Sequence, residues 1–170
     1  MIINKKGDLL KAEDCTAIVH QTNCLGVMGA GIAKQIRCQW TTEVYVPYRR
    51  VCIDNINSKE LLGKIQVLKT KDKPIEYVIN AFGEYSFKKN ECPFPNGRHT
   101  DYDALRTCFN KIKQWCYDKD VKNIGMPKNI GCGIAGGDWE NVVYPMIQEI
   151  FGDDKKITLN IYEFYVPPFK

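Results

Sequence analysis

The stretch Ile18 to Ile36, IVHQTNCLGVMGAGIAKQI, holds a strand, a turn and a helix in one short segment. Ile18 and Val19 close a β-branched apolar run, the pattern of a buried strand. Four polar residues follow, His20-Gln21-Thr22-Asn23, and then glycines at 26, 29 and 31. From Ala30 to Trp40 the apolar residues return at helical spacing. A strand that runs through glycines into a helix is the opening unit of an α/β fold, and its turn brings backbone N–H groups to the mouth of the strand.

The same unit recurs outward from this stretch. MIIN, TAIVHQTN, GKIQVLKT, EYVINAF, VKNIGMP and KITLNIYEFY read as strands. Helices are expected at Ala30–Trp40, Glu43–Asp54, from Thr100 onward, and from about Trp139 to Phe151. In the third helix Thr100 is placed as N-cap with Asp103 as its capping-box partner, ahead of Tyr102, Leu105, Phe109, Ile112 and Trp115 at helical spacing. Residues 83–100 form a polar loop long enough to suggest function. Alternating β and α segments predict a largely parallel sheet covered by helices on both faces, with the ligand crevice beyond the carboxyl ends of the strands.

Composition narrows the classes. The chain has 170 residues, enough for one domain with a sizeable core. A net charge of +4 suits a small anionic ligand, and with no basic cluster beyond Arg49-Arg50 it gives no reason to expect a nucleic-acid partner. No apolar run reaches membrane-spanning length and no signal peptide is visible, so a cytoplasmic location is expected. The eight cysteines contain no CxxC pair. They are expected to be reduced, acting as small hydrophobes, with no metal site.

Two glycine-rich segments stand at strand-to-helix junctions. One is Gly29-Ala30-Gly31, and the other is Gly131-Cys132-Gly133-Ile134-Ala135-Gly136-Gly137. Neither is followed by Lys-Ser/Thr, so neither is a P-loop. Neither has the placement of a dinucleotide GxGxxG, and no ribose-binding acid follows a second strand, which tells against a nicotinamide enzyme. A single glycine turn is unremarkable. Two at equivalent junctions, facing each other across one crevice, point to a phosphate-containing ligand.

With these pieces in order, the sequence resembles the macrodomain family of ADP-ribose-binding modules over nearly its whole length. The matching pieces are GDLL at 7–10, IVHQTN, GAGIA, MPKNIGCGIAGGDWENV and ITLNIYEF. They look closest to the branch of ADP-ribose-1''-phosphate phosphatases and terminal ADP-ribose glycohydrolases. The resemblance implies a three-layer α/β/α sandwich with a mixed, mostly parallel central sheet, spanning residues 1–170 as a single domain. It also implies ADP-ribose or ADP-ribose-1''-phosphate as ligand, an ADP-ribosylated protein as a further candidate partner, no cofactor, and a monomer.

By the resemblance, Asp8 and Leu9 would meet the adenine, and Asn23 the distal ribose. Gly29, Ala30, Gly31 and Ile32 would line ribose and phosphate. Gly131, Cys132, Gly133, Ile134, Ala135 and Gly136 would serve the diphosphate. Phe164, or else Tyr162, would cover the adenine. Read alone, Asp8 is a turn former, Asn23 an Asx turn and Phe164 a packing residue.

For chemistry, His20 is the first candidate, with Asn23 beside it, because the phosphatase members carry a histidine there and imidazole acts near neutral pH. Where the terminal glycohydrolase has a catalytic lysine and aspartate, this chain shows Ala81 and Ala135, so that covalent route is closed. Asp138 is the nearest acid, and it also reads as a helix N-cap. His99 is expected to be solvated. The expected activity is hydrolysis of ADP-ribose-1''-phosphate or a related ADP-ribosyl ester. The alternative is a non-catalytic reader or sponge of ADP-ribose.

Overall fold

The computed structural model describes residues 1–169. Its six strands are β1 (Ile2–Lys6), β2 (Ala17–Thr22), β3 (Ile65–Lys69), β4 (Tyr77–Phe82), β5 (Asn123–Pro127) and β6 (Thr158–Glu163). They form one sheet in the order β1-β6-β5-β2-β4-β3. All neighbours are parallel except β3, which pairs antiparallel with β4 at the edge. The sandwich expected from the sequence is therefore present, and the single antiparallel edge strand makes the sheet mixed.

The helices are α1 (Gly31–Gln39), α2 (Val46–Asp54), α3 (Tyr102–Lys119) and α4 (Tyr144–Phe151). Strand parity decides which layer each face meets. Ile18 of β2 with Val78 and Phe82 of β4 packs against Ile36, Val44 and Tyr48 on the α1–α2 side. Ala17, Val19, Ile79 and Ala81 pack against Leu105, Phe109, Ile147 and Phe151 on the α3–α4 side. Two covered faces explain why β2 and β4 read as continuous apolar runs.

The helix boundaries differ from expectation in two instructive places. Thr41–Tyr45 and Trp139–Val143 are π-helical turns leading into α2 and α4. Each precedes a proline near the start of the next helix, Pro47 or Pro145. Proline lacks the N–H for an i→i−4 bond, and a widened turn accommodates its ring. The cap of α3 is also shifted. Asp101, not Thr100, is the N-cap, its Oδ1 accepting from the Ala104 N–H at 3.0 Å. Thr100 is used elsewhere.

Cys15, Cys24, Cys52, Cys108 and Cys116 are buried and every cysteine is a free thiol. Among the described residues no helix is long and apolar enough to cross a membrane.

Candidate functional site

β1, β6, β5, β2 and β4 all run the same way, so their carboxyl ends share one edge of the sheet. A cleft of about 660 Å³ opens there. One wall is Gly29 to Ala33, the loop after β2 and the first turn of α1. The other is Lys128 to Gly131 with Gly133 to Ala135, in the loop after β5. Gln21, Thr22 and Asn23 lie between them, and Val27, Glu84, Phe87, His99 and Pro127 complete the lining.

Both walls present free donors. No side chain caps α1 at Ala30. The N–H groups of Gly29 through Ala33 make no backbone hydrogen bond among the described residues, and neither do those of Gly131, Gly133, Ile134 and Ala135. Unmatched amides at a helix start carry partial positive charge and suit an anion. The second loop is held in place from below. Gln21 Nε2 donates to Thr100 Oγ1 at 2.9 Å, and Thr100 Oγ1 donates to the Gly131 carbonyl at 2.6 Å. Gly131 is required there, because its φ is +70° and a Cβ would lie 2.8 Å from Gln21 Oε1.

Asn23 organises the first loop. Its Oδ1 accepts from the Leu25 N–H at 3.0 Å and the Tyr48 hydroxyl at 2.9 Å, while its Nδ2 donates to the Val27 carbonyl at 2.9 Å. It lines the cleft, and most of its hydrogen-bonding capacity is already spent on shaping the turn.

Asp8 and Leu9 lie apart from this cleft. Asp8 caps a short turn, its Oδ1 accepting from the Leu10 N–H at 3.0 Å. It lines a second recess of about 570 Å³ with Gly7, Lys11, Tyr162 and Tyr165, on the same edge of the sheet. Leu9 is buried in the core and lines neither recess. Phe164 is 64% exposed and also lines neither. Tyr162, the alternative to Phe164, does line the recess beside Asp8, since β6 ends at Glu163 and carries the tyrosine in the last rungs of its ladder.

Three second-loop or catalytic expectations are corrected. Cys132 turns from the cleft, its Sγ 3.3 Å from the Ile130 carbonyl, and burial pushes its thiol up to about 12. Gly136 packs against the segment before α3, where a Cβ would sit 2.8 Å from the Gly97 carbonyl oxygen. Asp138 is an exposed N-cap outside the lining. Its Oδ1 accepts from the Asn141 N–H at 3.0 Å, and that bond holds its carboxyl below the usual range. A cap with a lowered pKa is a poor proton acceptor.

The main correction is His20. It is completely buried and outside the cleft lining. Its parity matches Ile18, so it faces the α1–α2 layer. Its register partner across the ladder is Asn80, which in turn pairs with Gln66. The three side chains form a row: His20 Nε2 lies 2.6 Å from Asn80 Oδ1, and Asn80 Nδ2 donates to Gln66 Oε1 at 3.1 Å. The Asn80 orientation makes its oxygen the acceptor, so His20 donates from Nε2 and Nδ1 carries a lone pair without a partner. Burial lowers the imidazole pKa to about 4, against a smaller upward pull from Asn80. A neutral histidine inside the sheet cannot reach a phosphoryl group in the cleft.

The sequence reading missed other lining residues. His99, expected to be solvated, is 6% exposed and borders the cleft with an unpartnered Nδ1. Gln21 also borders it, with a buried and unpartnered Oε1. Glu84 stands half-buried beside them, and burial raises its carboxyl pKa to about 7. Val27, Phe87 and Ile134 give the cleft an apolar rim, each with appreciable exposure.

The chain is 29% identical over 155 residues to ADP-ribose glycohydrolase OARD1 of Homo sapiens, covering 91% of this chain and 87% of that protein. It is 27% identical over 146 residues to the DNA ADP-ribosyl glycohydrolase of Mycobacterium tuberculosis, covering 84% of this chain but only 36% of that longer protein. In fold it superposes on the Thermosipho africanus DarTG structure in complex with ADP-ribose with a TM-score of 0.77 at 17% identity, covering 98% of this chain and 43% of that one. The Macro domain family model matches residues 19–146, which include both cleft walls, and the chain belongs to the macrodomain family.

Proposed function

We propose that the protein binds ADP-ribose along the carboxyl edge of its sheet and hydrolyses ADP-ribose-1''-phosphate or a related ADP-ribosyl ester. One observation carries the reading: the uncapped start of α1 faces the free amides of Gly131, Gly133, Ile134 and Ala135 across a single cleft. That arrangement suits a diphosphate. The recess beside Asp8 and Tyr162 lies on the same edge and suits a nucleobase that needs one acceptor and one aromatic wall. The relatives named as ADP-ribose and ADP-ribosyl glycohydrolases, and the DarTG structure holding ADP-ribose, support the same ligand class.

A second reading is a binder without turnover. It is favoured by Ala81, buried in the α3–α4 core, and Ala135, which offers the cleft only a methyl group. Neither can act as a nucleophile or base. Calorimetric titration with ADP-ribose, ADP-ribose-1''-phosphate, NAD and ATP tests binding, and phosphate release from ADP-ribose-1''-phosphate tests turnover. Tight one-to-one binding of ADP-ribose with phosphate release supports the enzyme. Tight binding with no release from any ADP-ribosyl ester supports the reader. Equal or tighter binding of ATP and NAD would overturn both.

A further inference from the structure

We propose that Glu84 is the catalytic acid of the cleft, delivering a proton to the oxygen that leaves when the bound ester is cleaved. The inference rests on the hydrolytic reading above and assigns the residue that reading otherwise lacks, since His20 and Asp138 both lie outside the cleft.

The backbone places Glu84 rigidly. β4 ends at Phe82, and Gly83 passes so close to β2 that a Cβ on it would lie 2.3 Å from Gln21 Oε1. The Asp101 N–H donates to the Gly83 carbonyl at 2.8 Å, and Glu84 forms an isolated antiparallel bridge with Thr100. The Cys24 thiol lies 3.4 Å from the Glu84 carbonyl oxygen. The residue is thus tied to the end of β2 on one side and to the start of α3 on the other. The residue lines the cleft with Gln21 and His99.

The surroundings supply no counter-charge. Among the described residues the Glu84 carboxyl makes no ion pair and no hydrogen bond. The titratable groups nearby are the Cys24 thiol, whose pKa burial pushes up to about 12, His99 from the segment before α3, and Lys128 across the cleft. Lys128 Nζ lies 3.5 Å from Glu163 Oε2 and is engaged there. Burial alone therefore raises the carboxyl to about 7, where a proton is both present and transferable at neutral pH. The neighbouring buried atoms Gln21 Oε1 and His99 Nδ1 have no protein partner, so this corner of the cleft holds polar groups that a ligand would satisfy.

The step balances on one carboxyl. With ADP-ribose-1''-phosphate, the water oxygen forms a bond to phosphorus while the bond from phosphorus to the sugar oxygen breaks. The electron pair of that bond goes to the sugar oxygen, which takes the Glu84 proton. The attacking water gives up one proton, which restores the Glu84 carboxyl. Inorganic phosphate and ADP-ribose leave, and the free amides of the two loops stabilise the equatorial oxygens meanwhile.

The test compares wild type with Glu84→Gln and Glu84→Asp in two assays, calorimetric binding of ADP-ribose and phosphate release across pH 5–9. The proposal expects Glu84→Gln to lose roughly two to four orders of magnitude in kcat, the span typical of a general acid. ADP-ribose affinity should be within a few-fold of wild type. The wild-type rate should fall above about pH 7, and that limb should vanish in Glu84→Gln while Glu84→Asp keeps part of the rate with a shifted limb. Full rate in a folded Glu84→Gln protein that binds ADP-ribose overturns the proposal and leaves the ligand reading standing. Binding without turnover by wild type also overturns it. Failure of wild type to bind ADP-ribose overturns the functional reading itself.

Discussion

Thr100 joins the two halves of the cleft through Gln21: the glutamine amide donates to its hydroxyl at 2.9 Å, and the hydroxyl donates onward to the Gly131 carbonyl at 2.6 Å. Thr100 is fully buried. Removing its hydroxyl leaves a buried donor on Gln21 unmatched and the Gly131 carbonyl with the Gly137 N–H alone, at 2.9 Å. Thr100→Val keeps the shape and should lower unfolding free energy by about 1–3 kcal/mol. It should also weaken ADP-ribose binding, since the second loop loses its anchor. Thr100→Ser should keep both properties near wild type. Urea titration and calorimetry on the same samples make the comparison.

The second loop offers a cleaner separation of fold from ligand. A Cβ at Gly133 meets nothing within 4 Å, whereas one at Gly136 meets the Gly97 carbonyl oxygen at 2.8 Å. Gly133→Val should fold normally and lose ADP-ribose binding, because a branched side chain screens the neighbouring amides. Gly136→Val should instead lower the melting temperature. Circular dichroism melts beside the titrations decide. A stable Gly133→Val protein with normal affinity would reduce the loop to a turn.

The β2–α1 unit was legible because its signals are local: β-branched residues, then glycines, then helical spacing within a few turns of chain. The nine expected residues that line the cleft, Asn23, Gly29 to Ile32, Gly131 and Gly133 to Ala135, all sit at the junctions after β2 and β5. Glu84 and His99 were not legible, because they meet through the Glu84–Thr100 bridge, which is invisible to any window of sequence. The Thr100 cap failed by one position, since Asp101 caps α3 and frees Thr100 for the cleft. His20 carried a usable signal that was overlooked. It shares parity with Ile18, and a residue two places from a core isoleucine on a strand faces the same layer.

Asp8 combines a structural and a binding role that one substitution can divide. Its Oδ1 caps the Leu10 N–H, a bond that an asparagine oxygen can also accept. Asp8→Asn should therefore retain stability within about 0.5 kcal/mol, the scale of ordinary surface changes. If its carboxylate also receives the adenine amino group, the same variant should weaken ADP-ribose by about 1–3 kcal/mol. Affinity for a ligand lacking the base, such as ribose-5-phosphate, should not change. Equal affinities for ADP-ribose in the two proteins would remove the adenine from this recess.

The buried His20 predicts an acid limb in stability rather than in activity. Its folded pKa of about 4 lies below the ordinary 6.5, because burial disfavours the imidazolium. Between these values the unfolded chain binds the proton and the native protein does not. Stability therefore rises with pH through this window and is lost as pH falls from about 6.5 toward about 4, by on the order of 3 kcal/mol in all. Glu84 slopes the other way, since its raised folded pKa of about 7 makes stability decline as pH rises from 4.5 to 7. The difference between wild type and His20→Gln isolates the histidine. The variant should be less stable at pH 8 by about 1–3 kcal/mol, from disturbing the bond to Asn80. That deficit should shrink steadily as pH falls toward 4. Its rate of ester hydrolysis at pH 7 should stay within a few-fold of wild type at a temperature where both are folded. A loss of two or more orders of magnitude there, with ADP-ribose binding intact, would return His20 to the chemistry and require the sheet to open beside it.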